Sequence, residues 1–169
     1  MIGRGIVAAV AVVAVDQLSK NLVLKGFGEA QCVQRPGTQV TQFFDFVLTC
    51  NHGMSFGLFN TGGGLNSSVF IIAAVAIVGI LLFWLSRVQS EMLASAIGLI
   101  IGGALGNVVD RVRFGGVIDF LYFHLGSWYW PAFNFADSAI CIGVLVMLLD
   151  GVLARRREPS ATTRDDPLP

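Results

Sequence analysis

Hydrophobic positions in this chain gather into four long runs. Residues 5–24 are mostly apolar and uncharged up to Asp16, and residues 69–85 hold no strongly polar side chain. Residues 92–109 hold no charge, and residues 133–153 are apolar apart from a few polar positions, among them Asp137 near the start and Asp150 near the end. A helix that crosses the hydrocarbon core needs about 20 mostly apolar residues. The pattern therefore predicts four spans, at about 5–24, 67–86, 92–110 and 133–153. The first run is expected to be a retained helix rather than a cleaved signal peptide, because Asp16-Gln17-Leu18-Ser19-Lys20 follows it where a cleavage site needs small residues.

The intervening segments are unequal. Residues 25–66 are too long for a turn, and residues 39–50 alternate. Phe44, Phe46, Leu48 and Cys50 fall on one face and Asp45, Val47 and Thr49 on the other, a half-buried strand pattern. The predicted fold class is an all-α membrane protein: four transmembrane helices, with a small extracytoplasmic β-sheet platform between helices 1 and 2. Phe43, Phe44, Phe46, Phe56 and Phe59 suit a membrane interface, and Trp128, Tyr129 and Trp130 give residues 111–131 the character of an aromatic belt. Residues 1–154 read as one domain. Residues 155–169 are polar and contain proline, as a disordered cytoplasmic tail would be. No internal repeat is visible, which weakens an inverted-repeat transporter.

Composition narrows the picture. Of 169 residues, 54% are hydrophobic and 13% charged, where soluble domains carry about 25% charged residues. That excludes an ordinary soluble domain and a disordered chain. Eleven basic and eleven acidic residues cancel, so no basic field argues for a nucleic-acid partner. Cys32, Cys50 and Cys141 are widely spaced without a CxxC, which gives no metal or redox signature and no disulfide framework. Four spans put both termini on one side. Arg4, Arg87 and Arg155, Arg156 and Arg157 then place the termini and the second turn in the cytoplasm. Lys20, Lys25, Arg35, Arg111 and Arg113 fall on the other side and reduce that bias.

An ionisable group within a bilayer is expensive and marks a candidate functional site. Asp16 and Lys20 stand four apart on one helix face, either as part of a site or as a self-neutralising anchor. Gly98, Gly102 and Gly106 form a tandem GxxxG for close helix approach. Gly103, Asn107, Asp110 and Arg111 share the adjacent face. Asn51-His52-Gly53 begins a turn-like segment in which glycine would take positive φ; His52 is a lone histidine. Asp119 lies among apolar residues just beyond the third span. Asn134, Asp137, Ser138 and Cys141, at i, i+3, i+4 and i+7, make a polar stripe on the fourth.

Asp119 and Asp137 at one membrane depth predict a shared site; the alternative pairs each separately with Arg111, Arg113 or Lys20. Two adjacent carboxylates share one proton, which yields a base and an acid. The base takes a proton from water as it attacks a carbonyl, and the acid polarises the carbonyl and protonates the leaving amine. No metal is needed. Other chemistries fit less well. There is no HExxH, and His52 and His124 are too few for a zinc site. Residues 61–64 lack the P-loop lysine, and no GxSxG occurs. Ser19 and Lys20 are adjacent, so their side chains diverge on a helix. Neither aspartate sits in the Gly-x-Gly-Asp of presenilin-type proteases. The non-enzymatic rival is a small transporter or proton channel. It wants ionisable groups through the whole membrane depth, whereas here they cluster at one end and the second run has none.

Five blocks in order complete the reading: Val15-Asp16-Gln17-Leu18-Ser19-Lys20, Asn51-His52-Gly53-Met54-Ser55-Phe56, Gly102-Gly103-Ala104-Leu105-Gly106-Asn107-Val108-Val109-Asp110-Arg111, Val117-Ile118-Asp119-Phe120 and Phe133-Asn134-Phe135-Ala136-Asp137-Ser138. Together, over about residues 10–150, they closely resemble the bacterial lipoprotein signal peptidase, signal peptidase II. The resemblance implies an enzyme of the inner membrane that removes the signal peptide from diacylglyceryl-modified prolipoproteins, cutting on the amino side of the lipidated cysteine. It implies Asp119 and Asp137 as the catalytic pair, with Asp16, Lys20, Asn51, Gly53, Gly103, Asn107, Asp110, Arg111, Asn134 and Ala136 around the site. It implies no metal or other cofactor, membrane lipid as a partner and inhibition by the cyclic peptide globomycin; a monomer is expected, although the tandem GxxxG could pack within the chain or between chains.

Overall fold

A computed structural model describes residues 1–53 and 64–157, without the side chains of 64–66 and 154–157. The interface expectation for Phe56 and Phe59, the motif after Gly53, the glycines before residue 64 and the tail from 158 lie outside the described residues. Among the described residues there are four helices: α1 (Ile2–Gly26), α2 (Gly64–Leu85), α3 (Glu91–Phe114) and α4 (Phe135–Arg157). Each is long and apolar enough to cross a membrane. They alternate in direction, so Gly26, Gly64, Phe114 and Phe135 gather at one end and Arg4 and Arg87 at the other.

The third helix is the hub. It packs against α1, α2 and α4, and half of its span is buried against 17% of each of the others. Its glycines are the cause. A Cβ on Gly102 would stand 2.6 Å from the Ala9 carbonyl oxygen; Gly98 lies against the Gly5 backbone and Gly103 against that of Ala136. Without side chains at these points, the backbones of α1 and α4 reach van der Waals contact with α3. Leu81 and Leu85 of α2 join Ala94, Ile97 and Ile101 of α3 in the apolar core. Ser90 caps α3 by accepting from the Leu93 N–H and donates to Asp150 Oδ1 of α4. Arg111 and Arg113 occupy the last turn, and Gly115, at φ 75°, ends the helix in the left-handed conformation.

At the opposite end from Arg4 lies a four-stranded antiparallel sheet in the order β1 (Arg35–Thr41), β2 (Phe44–Asn51), β3 (Val117–Leu125) and β4 (Trp128–Tyr129). This corrects the expected platform in two respects. Half of the sheet comes from the connection between α3 and α4, where Trp128 and Tyr129 pair with Leu125 and His124. The expected strand over residues 39–50 is a hairpin that turns at residues 42–43. A register shift between Phe46 and Thr49 also breaks the alternation, so Leu48 is buried while Phe46 is exposed. Among the glycines whose backbone is described, Gly28, Gly115 and Gly126 take positive φ.

The cysteine reading is corrected too. Cys32 and Cys50 form a disulfide across Cα atoms 5.1 Å apart, and Cys141 is free. The hairpin folds 18 residues back on themselves and brings together thiols that look isolated along the chain. Finally, α4 starts at Phe135, which leaves Asn134 outside it, and continues to Arg157, so the tail expected to be disordered begins as helix.

Candidate active site

Three asparagines and two aspartates meet where the sheet joins the helices. Asp119 is the third residue of β3 and is buried. Asp137 stands in the first turn of α4, half-buried. Asn134 joins them. It is fully buried, and its Nδ2 donates to Asp119 Oδ1 at 2.7 Å and to the Ile118 carbonyl at 3.3 Å. Its Oδ1 accepts from the Asp137 N–H at 2.9 Å, and its own N–H donates to Asp137 Oδ2 at 3.3 Å. That reciprocal pair is a capping box, with Asn and Asp in place of Ser and Glu. The residues that start α4 thus also fix one aspartate and reach the other.

Each aspartate has a second amide donor. Asn51 Nδ2 at the end of β2 donates to Asp119 Oδ2 at 3.1 Å, and Asn107 Nδ2 on α3 donates to Asp137 Oδ1 at 2.8 Å. Asn51 Oδ1 accepts from the N–H of Gly53, which is buried. Among the described residues neither aspartate forms a salt bridge with a cation. The separate pairings with Arg111, Arg113 or Lys20 are not what forms. Burial and the neighbouring Asp137 carboxylate push Asp119 up to about 7, against the pull of Asn51, Asn134 and Lys20.

A buried ion cluster frames the pair from behind. Lys20 Nζ lies 2.8 Å from Asp16 Oδ2 and 2.7 Å from Asp110 Oδ2, and donates to Asn107 Oδ1 at 3.2 Å. All three charged residues are buried. Each carboxylate also holds a backbone N–H: Asp16 Oδ1 that of Ala136 at 3.0 Å, and Asp110 Oδ2 that of Ile118 at 3.1 Å. Ala136 immediately precedes Asp137, and Ile118 immediately precedes Asp119. One lysine therefore sets two carboxylates, and each of them sets the backbone that carries one aspartate. Gly106 makes room for this, since a Cβ there would meet Asp16 Oδ2 at 2.6 Å.

Gln17 belongs to the same cluster, although its position beside Asp16 gives no sign of it. Its Nε2 donates to Asp110 Oδ1 at 2.8 Å, and its Oε1 accepts from Arg113. Arg111 stacks over Phe70 at 5.1 Å and lies within electrostatic reach of Asp137, Asp119 and Asp110. Its Nε is buried and donates to nothing among the described residues. His52 lies outside the pair, 3.2 Å from the Gly115 carbonyl, and His124 faces Asp45 across the sheet at 3.2 Å. Among the described residues no group of three His, Cys, Asp or Glu is arranged to hold a metal. Beside Asp137 opens a cavity of about 510 Å³. Asp137, Ser138 and Cys141 give it a polar edge, and Trp130, Phe133 and Ile140 are among its apolar walls.

Known proteins can be set against this geometry. The family model for signal peptidase (SPase) II matches residues 8–153. A lipoprotein signal peptidase of Methylorubrum extorquens (strain PA1) is 42% identical over 156 residues, which is 92% of this chain and 90% of the relative. One of Azoarcus sp. (strain BH72) is 44% identical over 157 residues, 92% and 86% of the two chains. A bacterial membrane enzyme solved by the in meso method at 2.3 Å resolution superposes with a TM-score of 0.76 at 26% identity, covering 95% of this chain and 94% of that one.

Proposed function

This chain belongs to the signal peptidase II family, and from that premise we propose that it is an aspartic endopeptidase whose catalytic pair is Asp119 and Asp137. The observation that carries the reading is their convergence: two carboxylates from different elements accept hydrogen bonds from one buried asparagine, Asp119 from its side-chain amide and Asp137 from its backbone N–H, and are balanced by no direct ion pair among the described residues. Such a pair holds one proton between pH values at which isolated carboxylates would both be ionised. The ionised member takes a proton from water, whose oxygen attacks the scissile carbonyl carbon. The protonated member polarises the carbonyl oxygen. When the tetrahedral intermediate collapses, the C–N bond breaks and a proton passes from the pair to the departing amine. No metal enters this reaction.

The remaining site residues take graded parts. Asn51, Asn107 and Asn134 aim the carboxylates. Asp16, Lys20 and Asp110 hold the backbones that carry them, and Gly103 and Ala136 allow α3 and α4 to approach closely enough for the contact. Arg111, whose buried Nε donates to nothing among the described residues, is the cation available to the developing oxyanion. Gly53 fixes the rotamer of Asn51.

The substrate in this reading is a diacylglyceryl-modified prolipoprotein, cut on the amino side of the lipidated cysteine, in a membrane whose lipid surrounds both partners. Both termini face the cytoplasm, and the sheet and the aspartates face the other side. The Cys32–Cys50 disulfide supports that orientation independently of the arginines, because such bonds persist in oxidising compartments. The glycines Gly98, Gly102 and Gly103 are spent on contacts within the chain, which suits a monomer. The test is cleavage by the purified chain of one lipobox peptide in diacylated and unmodified forms, with the product termini read by mass spectrometry. Cleavage before the cysteine of the diacylated form alone, blocked by globomycin, is expected; equal cleavage of both forms, or cleavage elsewhere, overturns the substrate assignment.

A further inference from the structure

We propose that the Cys32–Cys50 disulfide is a redox-sensitive positioning device for the active site: it holds the end of β2, and with it Asn51, against Asp119, so that reduction lowers turnover. The inference rests on the reading of Asp119 as catalytic.

The end of β2 has less support than the rest of the strand. Its pairing with β1 reaches from Phe44 only to Leu48, opposite Arg35. Beyond that point Thr49, Cys50 and Asn51 pair on one side alone, with Asp119, Ile118 and Val117 of β3. The register shift between Phe46 and Thr49 separates these three pairs from the rest of the ladder. Three isolated pairs at a strand end are the kind of segment that frays. Yet this end carries Asn51, whose Nδ2 must stay at 3.1 Å from Asp119 Oδ2.

The disulfide occupies the missing neighbour's place. Where β1 has stopped, Cys32 stands beside Cys50 with its Cα 5.1 Å away, close to the spacing of residues facing one another across antiparallel strands. The link also touches the start of β3. Cys32 Sγ lies 3.7 Å from the Val117 carbonyl oxygen, and a Cβ on Gly116 would meet Cys50 Sγ at 2.8 Å. It therefore binds the α1–β1 connection, the end of β2 and the start of β3 into one unit, one residue from Asn51. A dithiol would break the S–S bond by passing two electrons and two protons to it, leaving Cys32 and Cys50 as thiols and itself becoming a disulfide.

Loss of the Asn51 bond has a signature that loss of stability alone does not. The groups that bear on Asp119 are Asp137 on α4, Lys20 on α1, Arg111 on α3, and the Asn51 and Asn134 amides. Asn51 favours the ionised form. Without it the proton is held more tightly, and the alkaline limb of turnover moves to higher pH.

The test uses the full chain in detergent, well below its melting temperature, with a diacylated lipobox peptide whose alkylated sulfur a dithiol cannot reduce. Alkylation without reductant is expected to label Cys141 alone, and after dithiothreitol all three cysteines. Reduction should lower kcat about 3- to 10-fold, the scale of one ordinary intramolecular hydrogen bond. KM should stay within about twofold and the alkaline limb should move up. Reoxidation should restore the original profile, and a Cys32→Ser/Cys50→Ser variant should match the reduced enzyme and ignore the dithiol. Equal kcat and an equal pH profile in both redox states, with only the melting temperature lowered, overturns the inference, as does labelling of all three thiols without reductant. No cleavage in the oxidised state overturns the parent reading instead.

Discussion

Asp119 illustrates what a buried carboxyl costs its fold. Its ordinary value is 3.8, and burial beside Asp137 raises it to about 7. Between those values the folded state keeps a proton that the unfolded chain has released. Stability therefore falls as pH rises from about 4 to about 7 and then levels off. Asp119→Asn has no such proton to lose. Its melting temperature relative to the wild type should accordingly be higher at pH 8 than at pH 5, and thermal melts at both values check this; a constant difference contradicts it. Lys20 is the converse case. It neutralises two buried carboxylates, Asp16 and Asp110, and Lys20→Met leaves both unpaired. A loss of about 3–5 kcal/mol in denaturant unfolding is expected, as for other broken buried pairs; a loss below about 1 kcal/mol contradicts the frame role. Asp16, Lys20, Asp119 and Asp137 were legible because a charge in or beside an apolar run is rare. Gln17 was not, because an amide beside a charged residue looks like ordinary surface. The backbone N–H groups of Ala136 and Ile118 carry no sequence signal at all.

At the scale of elements, length and composition announced the four helices, and GxxxG spacing announced which face of α3 others approach. The glycines give a graded prediction. Gly102→Val would drive a side chain into the Ala9 backbone, while Gly79→Ala on α2 meets nothing within 4 Å. The first should cost about 1–3 kcal/mol or more and much of the activity, through displacement of α1 and the Asp16 it carries. The second should leave both unchanged. Parallel melts and assays separate them, and equal tolerance of both contradicts the packing of α1 on α3. The sheet was only half legible. β3 reads Val-Ile-Asp-Phe-Leu-Tyr-Phe-His-Leu, too uniformly apolar to show a period of two. A register shift likewise hid the true faces of β2. The disulfide depends on how the hairpin closes, which spacing along the chain does not reveal.

The whole molecule separates its tasks along the bundle. α3 supplies a rigid axis, the other three helices expose apolar side chains such as Val7, Ile72 and Leu148 as lipid-facing surface, and the polar chemistry is confined to the sheet end. That confinement distinguishes an enzyme from a conducting path: Asp16, Lys20 and Asp110 close on one another rather than forming a file through the bundle. The central claim, that Asp119 and Asp137 act as a pair, is tested most directly by comparing the wild type with Asp119→Asn and Asp137→Asn, each confirmed as folded by its thermal melt, on a diacylated lipobox peptide. Neither change removes buried apolar volume, so both variants should fold. Each should lose about 10³-fold or more in kcat, since either substitution removes one half of the acid–base pair. Near-normal turnover by either folded variant would contradict the account.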